Sequence, residues 1–417
     1  MPDPAGRDAA VEATTAPDQT VERWPAVSAT VLASDAAAVR EAERELDARR
    51  FPIPLPSRVA WATALGSARD RTMVARGAGG ECLALASVSI TRTRALPWHL
   101  VARVESFGEP YATAAGAALL RCLTAWSRRH PMILRAVVEL ECRDEAARTT
   151  LRAMLHEAGF VRSRAERVSE RTLAIDLAPS EDQIFASFGR STRQNIRSAA
   201  KHGLEVAPID DARYGARMNL LLEESLARTG APAQVMDWGA IVQLCRQLPH
   251  RSRVVGVFRG SAREPADLVG FAWGLHHGER VEYHTGASAR IPGVRLPILY
   301  PAIWDLVSWA KRSAGEWFDM GGVTAGTLGS SDALGGISDF KRGFTKDEIA
   351  LGEEWEYAPH RWRARIAGWT SQLAGTVRRR LHAKRLARAA AAAAAAAPEA
   401  APGTAPSREA LGDGEGR

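Results

Sequence analysis

The chain has 417 residues, 46% of them hydrophobic and 25% charged, with a net charge of +7 and four cysteines. It is longer than one ordinary domain of ~150 residues, and the composition is that of a globular protein able to bury apolar cores. Cys82, Cys122, Cys142 and Cys245 form no CxxC pair, which argues against a disulfide framework and a structural zinc site and suits a reducing cytoplasm. No uncharged apolar run reaches the ~18 residues of a membrane span.

Residues 1–20 are rich in Ala, Asp, Thr and Pro without periodicity and read as disordered; lacking an apolar run, they do not read as a secretory signal. Thr72–Arg76 and Glu81–Ile90 alternate around Gly77-Ala78-Gly79-Gly80, a hairpin signal, and Leu100–Phe107 supplies a third strand. A helix is expected from Tyr111 to about Arg129, then a strand Ile133–Leu140. A second helix runs from Asp144 to Ala158, with Gly159 placed for a left-handed stop. The order then repeats. Arg253–Phe258 and Leu268–Leu275 form a hairpin, Val281–Gly286 a third strand, Leu296–Ser313 a helix and Trp317–Met320 a closing strand. Strands and helices mixed in this order belong to an α/β layer fold, α+β in its mixed sheet, and the repetition indicates two tandem domains.

Between the halves, Ser191 and Gln194 have the spacing of a capping box opening a helix that Gly203 ends. Arg193, Arg197 and Lys201 recur every four residues on one face of it, with Ile196, Ala199 and Ala200 on the other, buried side. Three stacked cations need an anion or carboxylates alongside, so this face is either a phosphate or carboxylate grip or a solvated, ion-paired surface. Phe318-Asp319-Met320-Gly321-Gly322 ends a strand in a glycine pair that lets a ligand approach the backbone. The Gly/Ser-rich stretch 323–337 is long enough to act as a mobile lid. Asp339-Phe340-Lys341-Arg342-Gly343-Phe344 follows it. His276, His277, Tyr283 and His284 are candidate proton acceptors on adjacent strands, though such histidines are more often structural. The sequence has no GxSxG elbow, GxxxxGK phosphate loop or HExxH helix. A covalent intermediate is therefore not required, and no metal is expected.

Ser187-Phe188-Gly189-Arg190-Ser191-Thr192-Arg193-Gln194-Asn195-Ile196-Arg197, with the Phe318–Gly322 and Asp339–Phe344 stretches in that order, resembles the GNAT acyltransferase superfamily. Within it the resemblance is to the tandem-domain branch of FemAB-type peptidoglycan aminoacyltransferases and CelD-like acetyltransferases, over roughly residues 55–357. It implies an N-acyltransferase of two GNAT-like domains, 21–178 and 179–357, acting on a small-molecule or lipid-linked amine in cell-envelope or polysaccharide metabolism. Lys341 and Phe340 would lie at the reaction centre, with Asp319 and His284 as further catalytic candidates. Arg193, Asn195, Arg197, Lys201, Tyr283, Gly321 and Gly322 would contact substrate. The best match to the pyrophosphate loop of CoA-using members is Arg290-Ile291-Pro292-Gly293-Val294-Arg295, so Arg290, Gly293 and Arg295 would hold acyl-CoA. Pro292 removes one N–H donor there and the final position is Arg, which keeps aminoacyl-tRNA open as the donor. A catalytically dead, membrane-associated binding module is the reading of another class.

Residues 358–388 carry nine Lys/Arg and no Asp or Glu, so the rest of the chain sums to −2 and offers no broad basic surface for DNA. Trp362, Ile366, Trp369 and Leu373 make this segment a basic amphipathic helix, suited to an anionic membrane surface, to tRNA or to docking on the body. Residues 389–417, opening with nine alanines, read as a disordered tail. The whole reads as cytoplasmic, peripheral to the inner face of the cell membrane.

Overall fold

The computed structural model describes residues 21–23, 27–93, 98–164, 169–229, 235–260, 262–291, 293–294, 296–330, 332, 334–360, 362–364 and 366. The expected disordered ends 1–20 and 389–417, and nearly all of 358–388 beyond His360, lie outside them.

The first half runs β1 (Val21–Arg23), β2 (Val27–Ala33), α1 (Ala37–Ala48), α2 (Val59–Leu65), β3 (Arg71–Gly77), β4 (Cys82–Arg92), β5 (Leu100–Phe107), α3 (Ala114–Arg129), β6 (Ile133–Glu141), α4 (Glu145–Glu157) and β7 (Val161–Arg162). Next come β8 (Arg171–Asp176), α5 (Glu181–Ser187), α6 (Arg190–Ser198), β9 (Leu204–Pro208), α7 (Gly215–Thr229), α8 (Trp238–Gln247), β10 (Ser252–Arg259), β11 (Leu268–His276) and β12 (Arg280–Ser288). The order closes with α9 (Leu299–Arg312), β13 (Trp317–Gly322), α10 (Gly335–Arg342), β14 (Glu348–Ala350) and β15 (Gly352–Tyr357).

These strands form two mixed sheets, ordered β1-β2-β3-β4-β5-β6-β15-β7 and β14-β8-β13-β12-β11-β10-β9. Each is layered by helices. α3 buries Leu119, Leu123 and Trp126 on one face of the first sheet, and α1 sets Val39, Ala42 and Leu46 against Val74 and Leu85 of β3 and β4. In the second sheet α9 packs Ile303, Leu306 and Val307 on one face, while α7 and α8 bring Met218, Leu221, Trp238 and Ile241 to the other. β11 is buried along its whole length, as a strand covered on both sides must be. The sheets exchange material: β8, before residue 178, pairs with β13 and β14, whereas the late strand β15 lies between β6 and β7.

Several expectations hold in detail. Gly159 follows α4 in the left-handed region (φ 88°), and Gly203 ends the α6 turn at φ 67°. Others need correcting. The capping box is Ser180 with Gln183, opening α5; α6 starts from Gly189 and has no side-chain cap, so Ser191 already lies inside the helix. The chain must break between these helices because Phe188, 1% exposed, turns its ring into the core from extended backbone. Ala200 is exposed, because α6 tightens to a 3₁₀ turn over Ala200–His202 and the faces rotate. In the stretch expected as a lid, α10 already begins at Gly335, and the described residues ahead of it are tied down. Arg342 donates to the carbonyls of Gly326 (3.0 Å) and Thr324, and Leu328 N donates to Asp339 at 2.7 Å.

Candidate functional site

The second sheet opens at one point. β12 and β13 run parallel and pair at only three positions, Arg280 with Trp317, Val281 with Phe318 and Glu282 with Asp319. β12 carries a bulge opposite Trp273 and Gly274, with His284 as its extra residue, and beyond Glu282 it pairs only with β11. β13 turns through Gly321 (φ 76°) toward β8, where Gly322 faces Thr172. In the first sheet the parallel pair β5–β6 runs on further: it holds from Val101 to Val104, is interrupted at Glu105 and Ser106, and pairs again at Phe107 with Leu140.

A continuous polar network lines this divergence. His284 Nδ1 is 2.6 Å from Glu282, whose other oxygen lies 3.3 Å from Arg280. Arg280 also pairs with Asp319 at 3.2 Å and with Glu141 of the first sheet at 2.5 Å. Asp319 accepts hydrogen bonds from Thr172 Oγ1 and from Gly321 N (2.7 Å). Lys341 reaches in from α10 and donates from Nζ to the Gly322 carbonyl at 2.8 Å. A Cβ on Gly321 would stand 3.2 Å from that ammonium, so glycine keeps the approach open.

Burial sets the electrostatics. Lys341 is 8% exposed, and desolvation brings its pKa down to about 8, with Asp319 opposing. Desolvation raises Asp319 above the ordinary carboxylate range against the pull of Arg280. Desolvation would lower His284, but its hydrogen bond to Glu282 and the charge of that carboxylate outweigh it, and the imidazole is raised above 6.5. The His284 side chain is 40% accessible, and its Nε2 makes no hydrogen bond among the described residues. Glu282 is held well below its usual range: burial opposes this, but His277, His284 and Arg280 prevail.

The fold therefore gathers Asp319, Gly321, Gly322, Lys341 and His284 into one place. Arg280, Glu282, Glu141 and Thr172 join them without having been singled out in the sequence; an Arg-x-Glu-x-His alternation on one strand face was the available signal. Phe340 lies on the same helix as Lys341 but turns elsewhere, edge-on to Tyr300 (4.9 Å) and Phe344 (5.4 Å) in an aromatic cluster. Tyr283 packs against the α9 core, and burial raises its hydroxyl pKa. His276 is structural: it lies 3.0 Å from Arg251 and from the Ser313 carbonyl, and burial takes its pKa down to about 3. That removes it from the proton acceptors.

The cations of α6 lie along a separate groove lined by Arg190, Arg193, Gln194, Arg197, Ser198 and Lys201. Arg193 is largely committed to the carbonyls of Ala186 (2.8 Å) and Phe188 at the end of α5. Arg197 lies over the Phe185 ring at 5.1 Å, and half-buried Asn195 offers its carbonyl to Ser198. None of the four groove cations meets a carboxylate within 4 Å among the described residues. The pyrophosphate-loop match is not a helix start. Ile291 and Val294 form a bridge around Gly293 (φ 74°), Arg290 is exposed, and α9 begins only at Leu299 with Pro301 in its first turn. Arg295 and Pro292 lie outside the described residues. The fit to a pyrophosphate is therefore poor, since a first turn containing proline has one N–H fewer to offer.

No family model and no curated protein matches the sequence. Among solved structures the chain is similar to FemX, with 14% identity, covering 77% of this chain and 96% of that one at a TM-score of 0.60. L-PGS from Bacillus licheniformis aligns over 82% of this chain and 98% of that one (12% identity, TM-score 0.47). A tandem GNAT protein of the clavulanic acid biosynthesis pathway aligns over 80% and 99% (12% identity, TM-score 0.46). The chain shares the α/β fold of FemX, with two mixed sheets each layered by helices.

Proposed function

We propose that the protein is an N-acyltransferase whose reaction centre is the divergence of β12 and β13. The observation that carries this reading is the presence of a buried, partly desolvated ammonium (Lys341) and a carboxylate-held imidazole (His284) beside the polar network where β12 and β13 part. In this mechanism an amine attacks an activated acyl carbonyl and the new C–N bond forms. The Lys341 ammonium stabilises the developing oxyanion. His284 Nε2 takes the proton from the attacking nitrogen, while Glu282 holds Nδ1 and fixes the tautomer. The carbonyl re-forms as the C–S or C–O bond breaks, and the proton held on His284 passes to the departing sulfur or oxygen, which leaves as the thiol or hydroxyl.

The acceptor is an amine, small or lipid-linked. Acyl-CoA is the donor we propose first, held near its acyl thioester rather than by a pyrophosphate cradle. The unpaired α6 groove favours a second reading, an aminoacyl-tRNA donor whose phosphates lie along Arg190, Arg197 and Lys201. The basic segment 358–388 would add contact with an anionic membrane; no helix among the described residues is long and apolar enough to cross one. Thermal unfolding of the full chain with acetyl-CoA, longer acyl-CoAs or aminoacyl-tRNA separates the donors. A true ligand at ~100 times its Kd adds roughly 2.7 kcal/mol, several degrees in midpoint. A shift with tRNA alone would retire the CoA reading, and no shift with any donor would retire both.

A further inference from the structure

At one end of the first sheet β4 and β15 finish while β5 and β6 begin. Arg92 pairs with Leu100, Leu100 with Ile133 in the parallel register, and Tyr357 with Ala136. Trp98, Met132 and the exit of β15 therefore stand along one rim. The Leu100 amide donates to the Met132 carbonyl at 2.8 Å, which holds the approaches to β5 and β6 side by side. Trp98 is 70% exposed and Met132 44%, although Val101 and Ile133, just inside the rim, are buried. A single exposed apolar side chain is ordinary, but an indole beside a thioether begins a patch, and patches mark contact surfaces.

The same rim is basic. Arg92, Arg128 and Arg129 are exposed, and the last two close the final turn of α3. Arg128 lies over the Tyr357 ring at 5.5 Å and so ties the end of α3 to the end of β15. Stretches 91–100 and 121–134, which build the rim, contain no Asp or Glu, and neither does 358–388, which the chain enters on leaving β15. Two carboxylates of the adjoining strands and turns are already engaged: Glu356 lies 3.0 Å from Arg135, and Asp70 accepts from the Ile90 amide at 2.8 Å. A basic segment does not neutralise a basic rim, so both call for the same anionic partner. Trp and Met ringed by arginines match a bilayer surface, where an indole sits at headgroup level and cations meet anionic lipid. A nucleic acid would use the arginines and the indole but give Met132 no role.

We propose that this rim docks the protein on an anionic bilayer surface, with Trp98 and Met132 entering the headgroup layer and Arg92, Arg128 and Arg129 meeting lipid phosphates. The proposal rests on and extends the membrane contact proposed for 358–388, which the end of β15 tethers at this rim. The test is sedimentation of the full chain with vesicles of phosphatidylcholine alone and of phosphatidylcholine mixed with phosphatidylglycerol. The native chain should partition onto the mixed vesicles, less so as salt rises. Trp98→Ser with Met132→Ser, both at exposed positions outside the core, should weaken partition at least ~tenfold. Arg92→Gln with Arg129→Gln should weaken it about fivefold per charge. Arg378→Gln with Arg379→Gln and Arg380→Gln probes the basic segment by itself. If that variant lost binding while the Trp98/Met132 variant bound like the native chain, the segment reading would stand and the rim proposal would fall. The proposal would be overturned equally by a native chain that ignores anionic vesicles, or by rim variants that lose tRNA binding and keep vesicle binding.

Discussion

In the proposed mechanism, Lys341 and His284 have opposite protonation requirements. His284 accepts a proton only as neutral imidazole, and its pKa is raised, so the rate should climb with pH through a limb lying above 6.5. Lys341 supplies charge only while protonated, and its pKa is about 8, so the rate should fall as pH rises beyond that value. The expected profile of kcat/KM is a narrow bell. Lys341→Met should remove the alkaline limb; a profile that keeps it would assign the limb elsewhere. Arg280 is a different kind of residue. Replacing it by Met strands three carboxylates around a buried site and should cost about 3–5 kcal/mol in urea unfolding. A loss under ~1 kcal/mol would mean the network is better hydrated than its geometry implies.

At the scale of elements, α10 divides its labour. Lys341 faces the network while Phe340 faces the aromatic cluster of Tyr300 and Phe344, so the two neighbours should separate experimentally. Phe340→Ala should lower stability by about 3 kcal/mol with the rate per folded molecule little changed; a rate loss matching that of Lys341→Met would instead put the ring at the chemistry. Local signals explain what could be read at this level. Asp319, Gly321, Gly322 and Lys341 sit in short stretches whose glycines and charges stand out along the chain. Glu282 and Arg280 do not, because their importance comes from the β12–β13 register and from Glu141, which is 139 residues away from Arg280 in sequence. The capping box was misplaced because Ser180/Gln183 and Ser191/Gln194 have the same spacing; burial of Phe188 decides between them. α1, α7 and α8 escape notice because their apolar stripes are broken by Arg, Glu and Gln and precede or interrupt the repeated strand order.

Across the whole molecule, the repeat was legible as two strand–helix sequences, but the exchange between them was not, since pairing partners of edge strands leave no mark in local pattern. β15 pairs with β6 over six positions, from Gly352 with Glu141 to Tyr357 with Ala136, and buries Trp355 and Tyr357 in the first core. A chain ending at Ala350 should therefore lose the cooperative unfolding of the first sheet although it lacks none of that sheet's other strands; an unchanged midpoint would show β15 to be dispensable. A chain ending at Tyr357 should keep its fold and lose association with anionic vesicles, as judged by sedimentation. The two truncations thus separate architecture from the basic segment.

The most direct test of acyl transfer at the β12–β13 divergence is mass-spectrometric detection of amide product. The full chain would be supplied with isotopically labelled acyl-CoA or aminoacyl-tRNA and a mixture of amines, beside Lys341→Met of equal thermal midpoint. Labelled amide is expected from the native chain, with turnover down by ~100-fold or more in the variant, the usual cost of removing one oxyanion donor. No amide from either donor, or equal turnover with Lys341 replaced, would contradict the account.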